Sequence, residues 1–532
     1  MHPELLQLLL AVGIGATVLA VSALARRLPV PVPILQLLAG LALGFVPGLA
    51  VPSLDPDVVF LVFLPPVLWA AAYFTSLRDF RRNLRPIGLL AIGLVIVTTV
   101  AVAVAARALF PGMPWAAAVA LGAIVSPPDA VAAEAIIKRL PVPHRVVTVL
   151  EGESLVNDAS ALTLYRTAVA AAVTGSFSAG EATVRFFIDA GVGVLVGVAV
   201  GWLLVAVSRR TDDTLAEVLL TLLGPYLAWV IAELLHASAV LAAVAGGLYV
   251  RQHFSTVVSA ASRLQARAVW QMLVFVLNAL IFLLLGLSAG DLVRSLEPGT
   301  GSRVLGAGLA ISAVCIVTRL AWVPLATLLP RWLSPSLARR DPLPPAKHTF
   351  LVAWTSMRGI VSLASALALP LALADGTPFP FRTEILLVTM LVILVTLVAQ
   401  GLTLAPIIRA FAFPPETAHH EEERVARAEA VRHALDRLED LRHEPWVHAE
   451  HVETLGAQYR RKVQVVSELA HTEGAAAEDA AARRRLRWET IDAERRALVR
   501  LRNEGVIGDE VLHELERELD VEAMRIGMGE AR

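Results

Sequence analysis

Three carboxylates, Glu151, Glu153 and Asp158, fall inside one otherwise apolar stretch, EGESLVNDASALTLY, with Asn157 beside the last. In a membrane helix each ionised group costs about 2.5–3.5 kcal/mol at the bilayer centre on insertion scales, so each needs a partner or a task. Helical geometry separates them. At about 100° per residue, Glu151 and Asp158 share a face, Ser154 lies on the same face, and Glu153 points roughly 140° away. Asp158 sits about 18 Å in from residue 146 at 1.5 Å per residue, near mid-membrane. A carboxylate there with a hydroxyl one turn away can hold a proton or a hard cation. The alternative for Asp158 is a structural partner to a buried base, although intramembrane carboxylates are functional by default. Glu151, two turns nearer the helix start, either draws cations into a funnel or snorkels to water as an interface residue.

Two further stretches carry polar groups at membrane depth. GAIVSPPDAVAAEAII, residues 122–137, contains Pro127 and Pro128, which remove two backbone donors and break the helix. Broken backbone within a membrane is tolerated where it lines a cavity, and its freed carbonyls can bind a cation. Ser126 and Asp129 bracket the break. HTFLVAWTSMRGIVSLASALALP, residues 348–370, places Arg358 beside Ser356 and Gly359 and predicts a second break. A buried guanidinium needs a counter-charge, and Glu153, turned away from the Asp158 face, is the expected partner.

The elements that must position these groups are membrane helices. The 532 residues are 56% hydrophobic and only 17% charged, too few charges to coat a soluble protein of this length. Apolar runs of roughly 20 residues, enough to cross a ~30 Å hydrocarbon core, fall at 4–25, 32–50, 57–76, 86–107, 114–137, 146–173, 186–208, 214–235, 237–250, 267–293, 304–329, 347–372 and 383–411. Lys and Arg concentrate in alternate loops (Arg26 and Arg27, Arg78 to Arg85, Lys138 to Arg145, Arg209 and Arg210, Arg251 to Arg267, Arg331 to Lys347). The positive-inside rule then puts the start outside and the tail in the cytoplasm. Spans five and twelve run in opposite directions. They occupy corresponding positions if spans one to six and eight to thirteen are copies, which is the inverted-repeat pattern of secondary transporters. The fold class expected is therefore all-α and polytopic, about thirteen spans over residues 1–413. Residues 414–532 form a charged, mostly helical cytoplasmic tail whose amphipathic segments read as solvated helices packing on each other or on a partner subunit. The single cysteine, Cys315, excludes an intramolecular disulfide and a cysteine metal cluster, and reads as a small packing residue. The first apolar run is long enough to span and lacks the basic start of a cleavable signal.

SPPDAVA, EGESLVNDASALTLY, SMRGIVSLASALALP and FLPPVLWAAAYF (residues 63–74) together resemble the monovalent cation:proton antiporters, in the branch of the bacterial sodium/proton antiporters and the sodium/hydrogen exchangers. The resemblance covers the whole apolar domain in order and spacing. It implies thirteen spans in two inverted repeats with spans five and twelve crossed and unwound, a homodimer, and elevator-like alternating access in the cell membrane. It makes Asp158 the shared cation and proton site and Asn157 the first half of an Asn-Asp pair. Asp129 and the backbone around Ser126 become neighbours of that site, Ser154 becomes a hydroxyl ligand of the cation with Asp158, and Glu153–Arg358 becomes a structural ion pair. This chain departs from many relatives in having Asp129-Ala130 where they have Asp-Pro, and Ala70 where they carry an acid.

The expected activity is secondary antiport of sodium, with lithium, against protons. Having Asn157 rather than a second Asp favours electroneutral exchange. Potassium is the alternative cation, since ligand types alone do not set selectivity, and a cation channel is the alternative class. No HExxH occurs, and His236 and His348 fall at membrane edges, so an enzyme is not expected. The expected partners are monovalent cations, protons and lipid, with no cofactor and no nucleic acid.

Overall fold

The computed structural model describes the chain except at residues 1–2, 26, 29, 47–57, 138–139, 176–178, 212, 295–299, 374–375, 415–416, 469–474, 505 and 527–532. The end of the second expected span (47–50), the start of the third (57) and the basic residues Arg26, Lys138 and Arg139 lie outside the described residues. The chain divides into two compact units, Met1–Pro414 and Pro415–Arg532.

The first unit is helical, and each expected apolar run falls on a helix or on a pair of half-helices. In chain order these are α1 (Pro3–Ala25), α2 (Val32–Gly44), α3 (Val59–Phe74), α4 (Leu84–Leu109), α5a (Trp115–Val125) and α5b (Ala130–Ile137). Next come α6 (His144–Thr174), α7 (Ala179–Ser208), α8 (Thr214–Leu234), α9 (Ala239–Val257) and α10 (Ala260–Arg294). The unit closes with α11 (Thr300–Leu333), α12a (Ala346–Trp354), α12b (Ile360–Leu367) and α13 (Arg382–Phe411). By length and apolarity alone, six of the described helices, α4, α7, α8, α10, α11 and α13, suffice to cross a membrane. Among the rest, α5 and α12 are each split in two, and α6 carries Glu151, Glu153 and Asp158.

Packing follows from small residues. Gly193, Gly197 and Gly201, one per turn of α7, leave little room for a Cβ against Ser238, just before α9, and against Ala242, Gly246 and Tyr249 of α9. The two helices therefore approach backbone to backbone, as small-xxx-small faces allow in lipid. The opposite faces of α7 and α8 expose Phe187, Leu195, Trp202, Leu219, Leu223 and Val230. An apolar surface this continuous is suited to lipid. Trp69 of α3 is buried where α8 and α9 come together, against Gly224 and Gly246. Cys315 is buried in α11, packed in an apolar cluster.

The second unit consists of α14 (Thr417–Asp440), α15 (Ala449–Glu468), α16 (Ala475–Asn503) and α17 (Asp509–Ile526). Helices α16 and α17 bury Ile491, Leu519 and Ala523 between them, and Arg487–Glu522 (2.9 Å) bridges their polar faces.

Candidate functional site

The two interruptions lie against each other. Helix α5a ends at Val125, because Pro127 and Pro128 cannot donate to the preceding turn. Helix α12a ends at Trp354, and residues 355–359 are non-helical until α12b begins. Across the crossing, Asp129 N donates to Met357 O at 2.7 Å and Arg358 Nε donates to Val125 O at 3.0 Å. Arg358 N also donates to Thr396 Oγ1 of α13 at 3.1 Å. The breaks are thus tied by hydrogen bonds that only unwound backbone could make.

Asp129 sits at the amino ends of both half-helices. Its Oδ1 accepts from Val131 N at 2.8 Å at the start of α5b, and its other oxygen lies directly over Gly359, which precedes α12b. A Cβ on residue 359 would occupy the place of that carboxylate oxygen. Gly359 is extended, so the requirement there is for space and not for an unusual dihedral. Negative charge between two helix amino termini is favourable, since both present unpaired N–H groups and the positive ends of their dipoles.

Arg358 serves the opposite ends. Its guanidinium donates to Val125 O at the end of α5a and to the carbonyl and hydroxyl of Ser356 just past α12a. The negative carboxyl ends of two half-helices therefore share one buried cation. This corrects the expected Glu153–Arg358 pair. Glu153 is held instead by Arg319 of α11, through Nη1 to Oε1 and through Nη2 to Oε2 at 2.7 Å, both groups being 1% exposed. Arg319 also donates to Val352 O of α12a, at 3.0 and 3.2 Å, so the pair pins α6, α11 and α12 together. The physical reason is the break itself: orphan carbonyls at two helix ends attract Arg358, and an unbroken helix facing Glu153 supplies a better-placed base.

The other face of α6 opens on a cavity. Asp158, Ser154 and Glu151 line it with Asp129, Pro127 and Glu134 from α5, and Gly359 and Ser362 from α12. Leu64, Val67, Leu68 and Ala71 of α3, Thr75 just past its end, and Asn278 of α10 form the facing wall. Asp158 is 7% exposed, and among the described residues its carboxylate has no hydrogen bond or ion pair. Asn157 is fully buried behind it and its amide donates to Pro128 O at 2.8 Å, fastening α6 to the break in α5. Ser126 is buried, and its hydroxyl donates to Ala123 O of its own helix at 3.1 Å, away from the residues that line the cavity. Ala70 packs into the core beside Trp69, while its neighbour Ala71 faces the cavity.

Three polar residues join the cavity that sequence reasoning missed. Ser362, on the first turn of α12b, has a buried hydroxyl without a partner among the described residues. Asn278 and Glu134 line the same space. Ser362 lies within the quoted RGIVSLAS stretch, but nothing in the spacing distinguished it from Ser365. Arg319 had a signal, a lone arginine in the apolar run SAVCIVTRLAW, of the same kind as Arg358.

Helices broken at one level of an apolar domain, with carboxylates facing the gap, form the architecture of an ion-coupled membrane transporter. A family profile described as "Sodium/hydrogen exchanger, transmembrane" matches residues 14–410. The chain is 37% identical, over 98% of its length and 96% of the other's, to an uncharacterised Na+/H+ exchanger of Mycobacterium tuberculosis. It is 34% identical to the sodium, potassium, lithium and rubidium/H+ antiporter of Bacillus subtilis, over 75% of this chain and 61% of that one. Its fold is similar to that of the sodium proton antiporter MjNhaP1 of Methanocaldococcus jannaschii, with a TM-score of 0.58 at 17% identity over 76% of this chain and 98% of that one. The chain belongs to the sodium/hydrogen exchanger family of membrane transporters.

Proposed function

We propose that the protein is a secondary antiporter that exchanges a monovalent cation for a proton, with Asp158 as the shared site. The observation that carries the reading is the unpartnered Asp158 carboxylate facing the cavity beside Asp129. A cation entering the cavity meets Asp158, the hydroxyls of Ser154 and Ser362, and water, an oxygen set suited to a hard monovalent ion. A proton neutralises the same carboxylate. A bound cation needs the ionised carboxylate and a bound proton removes its charge, so the two occupants exclude each other. Either leaves the site neutral enough to change sides, whereas an empty ionised site crosses reluctantly. Coupled exchange needs nothing further and no cofactor. Glu151 and Glu134 supply negative charge along the approach, and Asp129, held by two helix amino ends, tunes the site without leaving it.

The wider frame of the proposal is thirteen spans in two inverted repeats, a homodimer in the cell membrane, the start outside and Pro415–Arg532 in the cytoplasm. With Asn157 beside Asp158 in place of a second acid, one cation exchanges for one proton and no charge moves. Sodium is the first candidate, with lithium. The Bacillus subtilis relative, which is named for potassium and rubidium as well, favours a second reading with broad selectivity.

The test is reconstitution into proteoliposomes with a fluorescent proton reporter, challenged in turn with sodium, lithium and potassium over a pH series. Proton movement driven by sodium and lithium, without build-up of membrane potential, is expected. Cation flux without proton movement would mean a channel and would overturn the reading.

A further inference from the structure

A second cavity lies at the opposite end of α6 from Gly175, where the starts of α4, α6 and α12a meet the end of α11. Its walls are apolar, including Leu90, Val149, Val323 and Val352, but its rim is arginine: Arg85 of α4, Arg145 of α6 and Arg331 of α11. All three guanidinium groups converge on one carboxylate, Asp341, in the segment that joins α11 to α12a. Arg85 Nη2 reaches Asp341 Oδ2 at 2.6 Å, Arg331 Nη2 the same oxygen at 2.8 Å, and Arg145 Nη2 the other at 2.8 Å.

The charges do not balance. Three guanidinium groups against one carboxylate leave two positive charges in excess, and the nearby acid Asp79 is engaged with His144 at 3.2 Å. The donors do not balance either. Arg331 places all three of its nitrogens, the remaining two on Asp341 O at 2.9 Å and Thr327 O at 2.6 Å. Arg145 spends Nε on Asn83 Oδ1 at 3.3 Å. Arg85 Nη1 is buried with no partner among the described residues, although Arg85 lines the cavity. A buried, charged N–H without an acceptor costs more than a neutral one, so the geometry has a place for one more anion. Although burial works against it, Arg145, Arg331 and Arg85 hold the Asp341 carboxyl below the usual aspartate range. The carboxylate is therefore ionised at neutral pH, and the excess of two charges already allows for it.

We propose that Arg85, Arg145 and Arg331 form a binding site for a phosphate group, supplied by an anionic phospholipid headgroup or as free phosphate. Guanidinium forks match the oxygens of a phosphate in pairs, and three of them around one point suit a tetrahedral anion better than a second carboxylate. All three arginines stand at helix ends in the basic stretches that the positive-inside rule assigns to the cytoplasm, where anionic headgroups and interhelical basic pockets meet. The site stands apart from the Asp158 cavity and does not rest on the transport reading. By tying three helix ends through Asp341, it gives a bound phosphate a hold on α4, α6 and α11, the last two of which the Glu153–Arg319 pair also joins deeper in.

The experiment titrates the purified full-length protein in detergent with phosphatidylglycerol, phosphatidylcholine or inorganic phosphate at matched ionic strength, reading Tm and lipid retention by native mass spectrometry. Saturable stabilisation by phosphatidylglycerol alone identifies a lipid headgroup; stabilisation by inorganic phosphate shows that the free anion suffices. Arg145→Gln, at a half-exposed position that tolerates the change, is expected to weaken that affinity about tenfold, the worth of one charge-assisted hydrogen bond. Asp341→Asn removes the competing carboxylate and is expected to tighten it, an effect that a purely structural clasp would not produce. Equal stabilisation by phosphatidylcholine, no shift with any of the three, or unchanged affinity in both variants would overturn the proposal.

Discussion

Glu153 and Asp158 stand five residues apart on one helix and meet opposite fates. Glu153 is enclosed by Arg319, which pairs with both of its oxygens and also holds the carbonyl of Val352. Asp158 faces a cavity and has no such partner among the described residues. A carboxylate whose charge is met permanently by a fixed base has no reason to bind and release anything. One whose charge is unmet must take up a proton or a cation. On the proposed reading the contrast separates a structural carboxylate from a transporting one within two turns of α6, and it can be broken from either side.

The largest effect is expected from Asp158→Asn. The substitution preserves shape and removes the titrating group, so the protein should fold and run normally on size exclusion while cation-driven proton movement disappears. Retained exchange would move the site elsewhere. Arg319→Ala attacks the other half of the comparison. It leaves a buried carboxylate uncompensated, at a cost of about 3–5 kcal/mol, and should appear as lost yield and a lowered Tm in detergent. The double change Glu153→Leu/Arg319→Met should recover most of that stability and keep exchange, because replacing a buried pair with apolar groups of similar volume is often neutral. If the double variant folds but does not transport, Glu153 takes part in the chemistry and the comparison fails.

Gly359→Ala sharpens the contrast at the crossing. The added methyl claims the place of the Asp129 carboxylate, so exchange should fall steeply while α12b, which gains a better helix former before its first turn, persists by circular dichroism. Unaltered exchange would show that the position of Asp129 is irrelevant to the site. The smallest effect is expected from Ser362→Ala. One neutral oxygen ligand is worth about 1 kcal/mol, so the apparent cation affinity should fall roughly fivefold with little change in maximal rate. An unchanged affinity would remove Ser362 from the ligand set.

Much of this arrangement was legible in residue types. The apolar runs carry the helices because lipid leaves the backbone no other way to satisfy itself. The Ser126-Pro-Pro-Asp129 stretch marks the first break by the loss of two donors, and helical spacing alone put Ser154 on the Asp158 face and Glu153 off it. What the sequence did not carry was which way a side chain turns at a break. Arg358 and Arg319 are both lone arginines in apolar spans, and either could have met Glu153. The choice was made by carbonyls orphaned at the ends of α5a and α12a, which exist only once the two breaks cross. Register carried the same ambiguity: Ala71 faces the cavity and Ala70 does not, a difference of one residue in α3. Ser126 stands beside the prolines, where the backbone around it was expected to neighbour the site, and its hydroxyl turns back to Ala123.

The central claim is that one carboxylate, Asp158, holds the cation and the proton in turn. Its most direct test is the apparent KM for sodium in proteoliposomes, measured with equal pH on both sides and stepped across the active range. Competition for one group predicts a KM that rises as pH falls, approaching about tenfold per pH unit on the acid side, with maximal rate regained at high sodium. A KM independent of pH, with proton movement still coupled to sodium, would mean that the two ions occupy different groups and would contradict a shared site at Asp158.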